Sequence, residues 1–250
     1  MGRTYDEIVS WWRTKEIKDS SDIDVVTNSR AVTFAYNTTK LEIADVTFYD
    51  TREIFEHGRV ANYTGDVTTL FALQNAKRGW ETFLNSFDDK RNIDEQLVKE
   101  FQYVLTVGTY DEQRYRHGER PGEYKKGEYV TGIHEVGAHP DDVEEEVNEL
   151  LDDIHNVDNK DALTASAFFH AKFENIHPFA DGNGRVGRLL MNYFLILHDH
   201  PTITIHEEDR NDYMSALEAW DVSQELHLLK TFLMEQTVKT WSPRKMKEGW

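Results

Sequence analysis

The chain has 250 residues, a formal net charge of −18 and no cysteine. These values exclude disulfides, thiolate metal sites and a cysteine nucleophile, and they argue against binding to nucleic acid or to an anionic membrane. An apolar fraction of 39% is enough for a real core. Because no apolar run approaches the roughly 18 residues of a membrane span and the first residues show no leader pattern, we expect one cytoplasmic domain over residues 1–250.

Helical periodicity dominates the sequence. In chain order, apolar spacing predicts helices at about residues 22–36, 67–86, 94–107, 141–154, 162–176, 183–197, 209–221 and 223–240. Residues 122–136 differ, because glycines and short Tyr/Val/Ile runs surround Lys126-Gly127, and this pattern predicts a β-hairpin or an extended flap. The acidic run at 141–153 is most simply the solvated face of its helix. The predicted fold class is mainly α with one hairpin.

The segment "HPFADGNGRVGR", residues 177–188, directly precedes the strongest predicted helix. Its three glycines fit G-x-G-x-x-G, but no buried strand precedes them, so a dinucleotide-binding fold is not predicted. A Walker loop is excluded because the chain contains no Gly-Lys-Ser/Thr. Glycines at a helix start still let backbone N–H groups approach an anion. Both Asp181 and Asn183 are suitable N-cap residues for this helix, and Phe179 should anchor the turn in the core.

The charged residues of the segment suit phosphate chemistry. On a helix, Arg185 and Arg188 are about 60° and roughly 4.5 Å apart, so both lie on one side of its first turns. Two cations at the positive end of a helix are unfavourable unless an anion such as a polyphosphate accompanies them. His177, with an ordinary pKa of about 6.5, could take a proton from a hydroxyl that attacks phosphorus. Asp181 offers a hard oxygen ligand for Mg²⁺.

These twelve residues match H-P-F-x-[D/E]-G-N-G-R-x-x-R, so the chain resembles the Fic (filamentation induced by cAMP) family. The segment "RNDYMSALEAW" resembles that family's R-x-x-Y-x-x-A-L helix, and the resemblance covers residues of about 25 to 235. It implies a helical bundle with a β-hairpin flap at 122–136 that aligns a target chain. It also implies a protein adenylyltransferase that transfers AMP from ATP to a Ser, Thr or Tyr hydroxyl and releases pyrophosphate.

Carried over by position, the resemblance makes His177 the general base and Asp181 the Mg²⁺ ligand. The phosphates of ATP would be held by Gly182, Asn183, Gly184, Arg185 and Arg188. The partners implied are ATP, Mg²⁺ and a protein with a target hydroxyl, which could be the chain itself. A homodimer stays open.

The N-terminal segment at about 22–37 resembles the inhibitory helix of many Fic proteins, whose pattern is [S/T]-x-x-x-E followed by Gly or Asn. In the family, the Glu of this helix pairs with the second arginine of the motif. Aligning Asn37-Thr38 with the family's Asn-Thr places Ala31 at the Ser/Thr position and Ala35 at the Glu position. We therefore expect Arg188 to meet no carboxylate and the enzyme to be de-repressed by engineering, with natural loss or a misplaced register as the alternatives. A register that pairs Thr33 with Asn37 gives no carboxylate either.

Other functions remain open at this point. Relatives within the fold transfer phosphate or phosphocholine or remove AMP, and removal is disfavoured here because position 35 lacks the carboxylate. A nucleotide-binding regulatory module is a further alternative. His155, His170 and His177 lack the spacing of a zinc site. His198 and His200 are best explained as charges at a helix C-terminus.

Overall fold

The computed structural model describes residues 3–27, 30–129, 137–155 and 157–242. Within these ranges the chain is mainly helical, and no strand occurs there. Two short 3₁₀ turns lie at Asn159–Asp161 and Glu207–Asp209. The α-helices are α1 (Tyr5–Arg13), α2 (Ser20–Thr27), α3 (Arg30–Lys40), α4 (Phe48–His57), α5 (Val67–Asp88), α6 (Glu95–Thr106), α7 (Glu112–Arg116), α8 (Val143–Ile154), α9 (Ala162–Ile176), α10 (Asn183–Leu197), α11 (Arg210–Ser223) and α12 (Leu226–Trp241).

The predicted helices are confirmed to within a few residues from α5 onward, with the exception of α7. The single helix expected at 22–36 is two helices, α2 and α3. Helices α1, α4 and α7 were not predicted. The mainly α fold class is therefore confirmed.

The segment predicted to form the hairpin and the residues just after it are hydrogen-bonded to the chain on both sides of His177. The backbone N–H of Lys125 donates to the carbonyl of Pro178 at 2.9 Å, and that of Ala138 donates to the carbonyl of Ile176 at 2.9 Å. Residues 122–129 contain turns and bends without a strand, and residues 130–136 lie outside the described ranges. The hairpin stays a prediction.

Helices α9 and α10 form the centre of the molecule. α10 is buried on nearly every side, and α9 buries Phe169 and Phe173 completely. A helix that is apolar all round belongs inside a core rather than at its surface. Helices α5, α6 and α8 pack around this pair, and α12 packs against α9. The connection between α9 and α10, residues 177–182, is therefore held by two buried helices.

The N-terminal and C-terminal helices pack on each other. The indole of Trp12 meets that of Trp241 edge-on, with ring centroids 5.3 Å apart, and both side chains are buried. α1 begins with a capping box between Thr4 and Glu7, which satisfies backbone N–H groups at both residues. None of the helices described is both long and apolar enough to cross a membrane.

Candidate active site

The turn between α9 and α10 places His177 in the wall of a cavity. His177 follows the last residue of α9 and has left-handed backbone angles of φ 50° and ψ 62°. Its N–H donates to the carbonyl of Phe173 at 3.0 Å. Phe179 is fully buried, as predicted, and anchors the turn. The chain thus reverses sharply at His177 without losing its attachment to α9.

Helix α10 begins without a side-chain cap. Its N-cap residue is Gly182, at φ 86°, a left-handed angle that glycine adopts without strain. The expectation that Asp181 or Asn183 caps this helix is wrong. The Asn183 side chain instead bridges the turn, accepting from the N–H of Phe179 at 2.9 Å and donating to its carbonyl at 2.8 Å. The first N–H groups of α10 therefore keep their hydrogen-bonding capacity and the positive end of the helix dipole.

The first motif arginine is fixed against the turn. Arg185 is 5% exposed and donates to Oδ1 of Asp181 at 3.1 Å and to the carbonyl of Leu105 at 3.3 Å. The Asp181 side chain is 31% exposed. A partly exposed carboxylate beside a helix start fits the predicted Mg²⁺ ligand, because Mg²⁺ prefers carboxylate and phosphate oxygens and keeps several waters.

The second motif arginine is held by the end of α3. Arg188 is 2% exposed, and its Nε donates to Oγ1 of Thr38 at 2.9 Å. Its Nη2 donates to the carbonyl of Thr38 at 3.0 Å and to Oε1 of Glu42 at 2.7 Å. Partial desolvation would raise the pKa of Glu42, but the charge and hydrogen bond of Arg188 outweigh it and lower that pKa. The two side chains form an ion pair.

The expectation that Arg188 meets no carboxylate is therefore wrong. Ala35 is 1% exposed and buried in the interior, and Ala31 packs against the main apolar cluster. The residues that meet Arg188 lie seven positions further on, which is about 10 Å along a helix axis. Thr38 and Glu42 have the same [S/T]-x-x-x-E spacing, followed by Ile43 instead of Gly or Asn. The alignment on Asn37-Thr38 missed this second register.

A cavity of about 420 Å³ joins these groups. A second cavity of about 460 Å³ shares Glu42, Asp181 and Arg185 with it. The seven motif residues that were assigned a catalytic, nucleotide-binding or metal-binding role all line the first cavity. Its lining residues are Glu42, Glu174, His177, Ala180, Asp181, Gly182, Asn183, Gly184, Arg185, Arg188, Arg210, Tyr213, Met214 and Leu217.

His177 is neutral at physiological pH. Burial and the nearby positive charge of Lys125 lower the pKa of His177 to about 4. Its Nδ1 is buried and has no hydrogen-bond partner among the described residues. A neutral imidazole at a cavity wall can accept a proton, which is what a general base requires.

Several cavity residues were missed from the sequence. Glu174 lies three residues before His177 on α9, so helical spacing alone could have placed both at one end of that helix. Tyr213 belongs to the R-x-x-Y-x-x-A-L segment, which was recognised without a role in the site. Its hydroxyl lies 2.6 Å from Nε2 of His170 and accepts from Nη1 of Arg188 at 3.4 Å.

One prediction for the far end of α10 is corrected. His200 does not act as a charge at a helix C-terminus, because it is 2% exposed and burial lowers its pKa to about 4. Its Nδ1 lies 2.8 Å from the carbonyl of Pro201 and its Nε2 lies 2.8 Å from the hydroxyl of Tyr5. It is a neutral residue that ties α1 to the end of α10.

The fold and site define a helical protein in which the uncapped start of α10, a neutral histidine and two buried arginines surround one cavity. Residues 92–195 match the model of the Fic/DOC family. The chain therefore contains a Fic/DOC family domain.

Two similar proteins are named as a protein adenylyltransferase or a probable one. A protein adenylyltransferase Fic of Nematostella vectensis is 34% identical over 105 residues, which are 41% of this chain and 24% of that protein. A probable protein adenylyltransferase of Aquifex aeolicus is 38% identical over 71 residues, which are 28% of this chain and 22% of that protein. The matched segment thus spans about a quarter of the length of these relatives.

Solved structures share the fold over nearly the whole chain. A Fic domain containing signalling protein of Bacteroides thetaiotaomicron superposes with a TM-score of 0.79 at 22% identity, covering 94% of this chain and 93% of that one. Fic-1 of C. elegans gives a TM-score of 0.76 at 18% identity, covering 93% of this chain and 68% of that one. At these identities the likeness concerns the fold alone.

Proposed function

We propose that this protein is a protein adenylyltransferase that transfers AMP from ATP to a Ser, Thr or Tyr hydroxyl of a protein. The uncapped start of α10 carries the proposal, because it faces a cavity that also holds a neutral histidine and two arginines. Backbone N–H groups and the helix dipole bind an anion there. The names of the matched relatives support the same activity.

In the proposed reaction, His177 removes the proton from the target hydroxyl. The hydroxyl oxygen then forms a bond to the α-phosphorus, the bond from that phosphorus to the oxygen bridging to the β-phosphate breaks, and pyrophosphate leaves. The N–H groups at Gly182, Asn183 and Gly184 hold the phosphates, and Arg185 and Arg188 balance their charge. A Mg²⁺ ion held by Asp181 would supply further charge neutralisation.

The proposed activity is restrained by the pair between Glu42 and Arg188. While Arg188 donates to Thr38 and Glu42, it cannot engage an outer phosphate of ATP with the same N–H groups. By resemblance, Thr38 and Glu42 take the inhibitory positions first assigned to Ala31 and Ala35. The protein is then autoinhibited rather than de-repressed.

Removal of AMP is a second candidate function. It was disfavoured because position 35 lacks a carboxylate, but Glu42 supplies one in the cavity. By resemblance, that carboxylate would position a water against an AMP-modified side chain. Incubation with an AMP-modified protein in the absence of ATP would release AMP if this activity is present.

The main proposal is tested with ATP labelled on the α-phosphate with radioactive phosphorus. In the presence of Mg²⁺ and a cell lysate, the protein should transfer the label to itself or to a lysate protein. His177→Ala should reduce transfer by about 100-fold or more, because a general base contributes that much. Label on the γ-phosphate should not be transferred. Transfer of the γ label would instead identify a phosphotransferase, and full activity of His177→Ala would remove the base from the mechanism.

A further inference from the structure

Besides Glu42 and Asp181, Glu174 places a carboxyl group in the cavity wall. Glu174 is on α9, one turn before His177, and its side chain is 13% exposed. Its Oε1 is buried and has no hydrogen bond to any described residue. A Cβ atom added at Gly187 would lie 2.7 Å from this oxygen, so Glu174 packs against α10 beside Arg188.

The charges around Glu174 do not balance an ionised carboxylate. The nearby cation, Arg188, already pairs with Glu42 at 2.7 Å. His170 offers Nδ1 at 3.9 Å but is neutral, because burial and Arg188 lower its pKa to about 3. Ionisation of an unpaired buried carboxyl is costly, so such groups keep their proton. The ionisable groups that face Glu174 are His170 and His177 on α9, Arg188 on α10, Glu42 after α3, and Tyr213 and Asp221 on α11.

A protonated carboxyl is a hydrogen-bond donor without charge. Such a group can lie beside a polyphosphate without the repulsion that a carboxylate would cause. Glu174 lines the same cavity as His177, proposed to act at the α-phosphate, and Arg188, proposed to reach the outer phosphates. We propose that Glu174 is a nucleotide-binding residue whose carboxyl group donates a hydrogen bond to a phosphate oxygen of ATP. The inference rests on the proposed function, since it requires ATP in this cavity.

The protonation state gives the proposal a pH dependence. Burial raises the pKa of Glu174 to about 8. Above this pH the side chain loses its proton and places a negative charge beside the phosphates. Affinity for ATP should therefore fall as pH rises from 7 to 9, by about tenfold, since one pH unit above the pKa leaves about a tenth of the groups protonated.

Binding of ATP with Mg²⁺ is measured by titration calorimetry at pH 7 and pH 9. The full chain carries His177→Ala, so that binding is observed without transfer. We expect about tenfold weaker binding at pH 9. Glu174→Gln keeps an uncharged donor, so it should bind within about threefold of the parent at pH 7 and show no loss at pH 9. Glu174→Leu removes the donor and should weaken binding at pH 7 on the order of tenfold.

A matched control is Glu149→Gln, which removes the same charge from an exposed position of α8. It should bind as the parent does at both pH values. Parent-like binding by Glu174→Leu, or a persistent pH effect in Glu174→Gln, would overturn the assignment. Weak binding by Glu174→Gln at pH 7 would show that an ionised carboxylate is needed, which also overturns it. If no variant binds ATP at either pH, the proposed function itself fails, and this result differs from the others.

Discussion

At the scale of single residues, the charge of Lys125 adds to the effect of burial on the proposed base, His177. Lys125 is 2% exposed, and its Nζ has one hydrogen bond among the described residues, to the carbonyl of Ile176 at 3.4 Å. A buried ammonium with so little compensation acts strongly on its neighbours, because the local dielectric constant is low. It helps to lower the pKa of His177, whereas the carboxylates Glu42 and Asp181 act in the opposite direction.

Replacing this lysine should make the base sensitive to acid. In the parent protein His177 stays neutral down to a pH of about 4, so AMP transfer should not fall between pH 8 and pH 6 on account of this residue. Lys125→Met removes a positive charge and raises the pKa of His177 toward its ordinary value. Transfer at pH 6 relative to pH 8 should then decrease, by at most about fourfold, which is the loss for a pKa of about 6.5. Rates of labelling with ATP across this pH range measure the effect.

Lys126→Met serves as the control, since it removes the same charge from an exposed neighbour. Lys126 donates to Glu123 and to the carbonyl of Gly118, away from the cavity. Its pH profile should match that of the parent. An unchanged profile for Lys125→Met would mean that burial alone keeps His177 neutral.

The residue types of the motif were readable from the sequence, but their partners were not. Charge, glycine content and spacing indicated a phosphate site at residues 177–188. They could not indicate that the Asn183 side chain binds the backbone of Phe179 rather than a ligand, since such a bond depends on the conformation of the turn. The prediction that the helix start binds an anion through its backbone does not depend on that side chain.

At the scale of helices, the apolar pattern correctly predicted those helices that bury a broad apolar surface. α9 and α10 have long apolar stripes, and both were predicted with nearly correct ends. α1 has only nine residues, and short helices are marginal without packing. Its stability comes from Trp12 against Trp241, residues at opposite ends of the chain, which no local pattern could reveal.

A contact between residues distant in the chain also explains why the inhibitory positions were assigned to the wrong residues. Arg188 and Glu42 are 146 positions apart in the chain, and two registers of the segment fit the family pattern in part. The register chosen from the sequence assigned Ala31 and Ala35 to the inhibitory positions. In the structure Ala35 is buried in the core and Ala31 packs against it. Which residue near the end of α3 contacts Arg188 depends on how α3 packs against α10. The sequence pattern alone does not determine this packing.

Removing the Glu42 carboxylate should release the arginine. Glu42→Ala leaves Arg188 free to bind an outer phosphate of ATP, so AMP transfer should rise by about tenfold or more, the effect of one charge-assisted hydrogen bond. Because Arg188 keeps its two hydrogen bonds to Thr38, the variant should still fold, but it should be less stable, since a buried cation loses its carboxylate. The rate of labelling with α-labelled ATP and the thermal unfolding curve measure the two effects.

Two variants separate the effect of the Glu42–Arg188 pair from general effects of charge. Asp45→Ala removes an exposed carboxylate from the same connection and should leave transfer unchanged. Ala35→Glu, the change that the first register would make inhibitory, should instead destabilise the fold, because it buries an unpaired carboxylate. Equal transfer by Glu42→Ala and the parent would show that the Glu42–Arg188 pair does not restrain the enzyme.

At the scale of the whole molecule, buried neutral histidines make folding depend on pH. The pKa values of His170, His177 and His200 are lowered by burial to about 3, 4 and 4. In the unfolded chain these residues bind a proton below a pH of about 6.5. The unfolded state therefore binds more protons than the folded state between these values, and acid favours unfolding.

The free energy of unfolding should therefore fall as the pH decreases from 6.5 to 5.5. Each of the three histidines contributes a loss of about 1 kcal/mol over that range, since one pKa unit corresponds to about 1.4 kcal/mol. Glu174 opposes this loss by about 1 kcal/mol, because its raised pKa means that the folded state holds a proton that the unfolded state releases. Reduced repulsion among the acidic side chains also opposes the loss, since the net charge of −18 becomes smaller. The three histidines outnumber the opposing carboxyl, so we expect a net loss of about 2 kcal/mol by urea denaturation.

His200 allows this balance to be tested away from the active site. Its Nε2 lies 2.8 Å from the hydroxyl of Tyr5, and a protonated ring could no longer accept from that hydroxyl. His200→Gln cannot be protonated, so it should remove about a third of the histidine contribution to the pH dependence, even if the variant is less stable at every pH. His57→Gln changes an exposed histidine, with 59% of its side chain accessible, and should leave the dependence as it is in the parent. If both variants show the same slope between pH 6.5 and 5.5, protonation of buried histidines does not govern the acid stability of this protein.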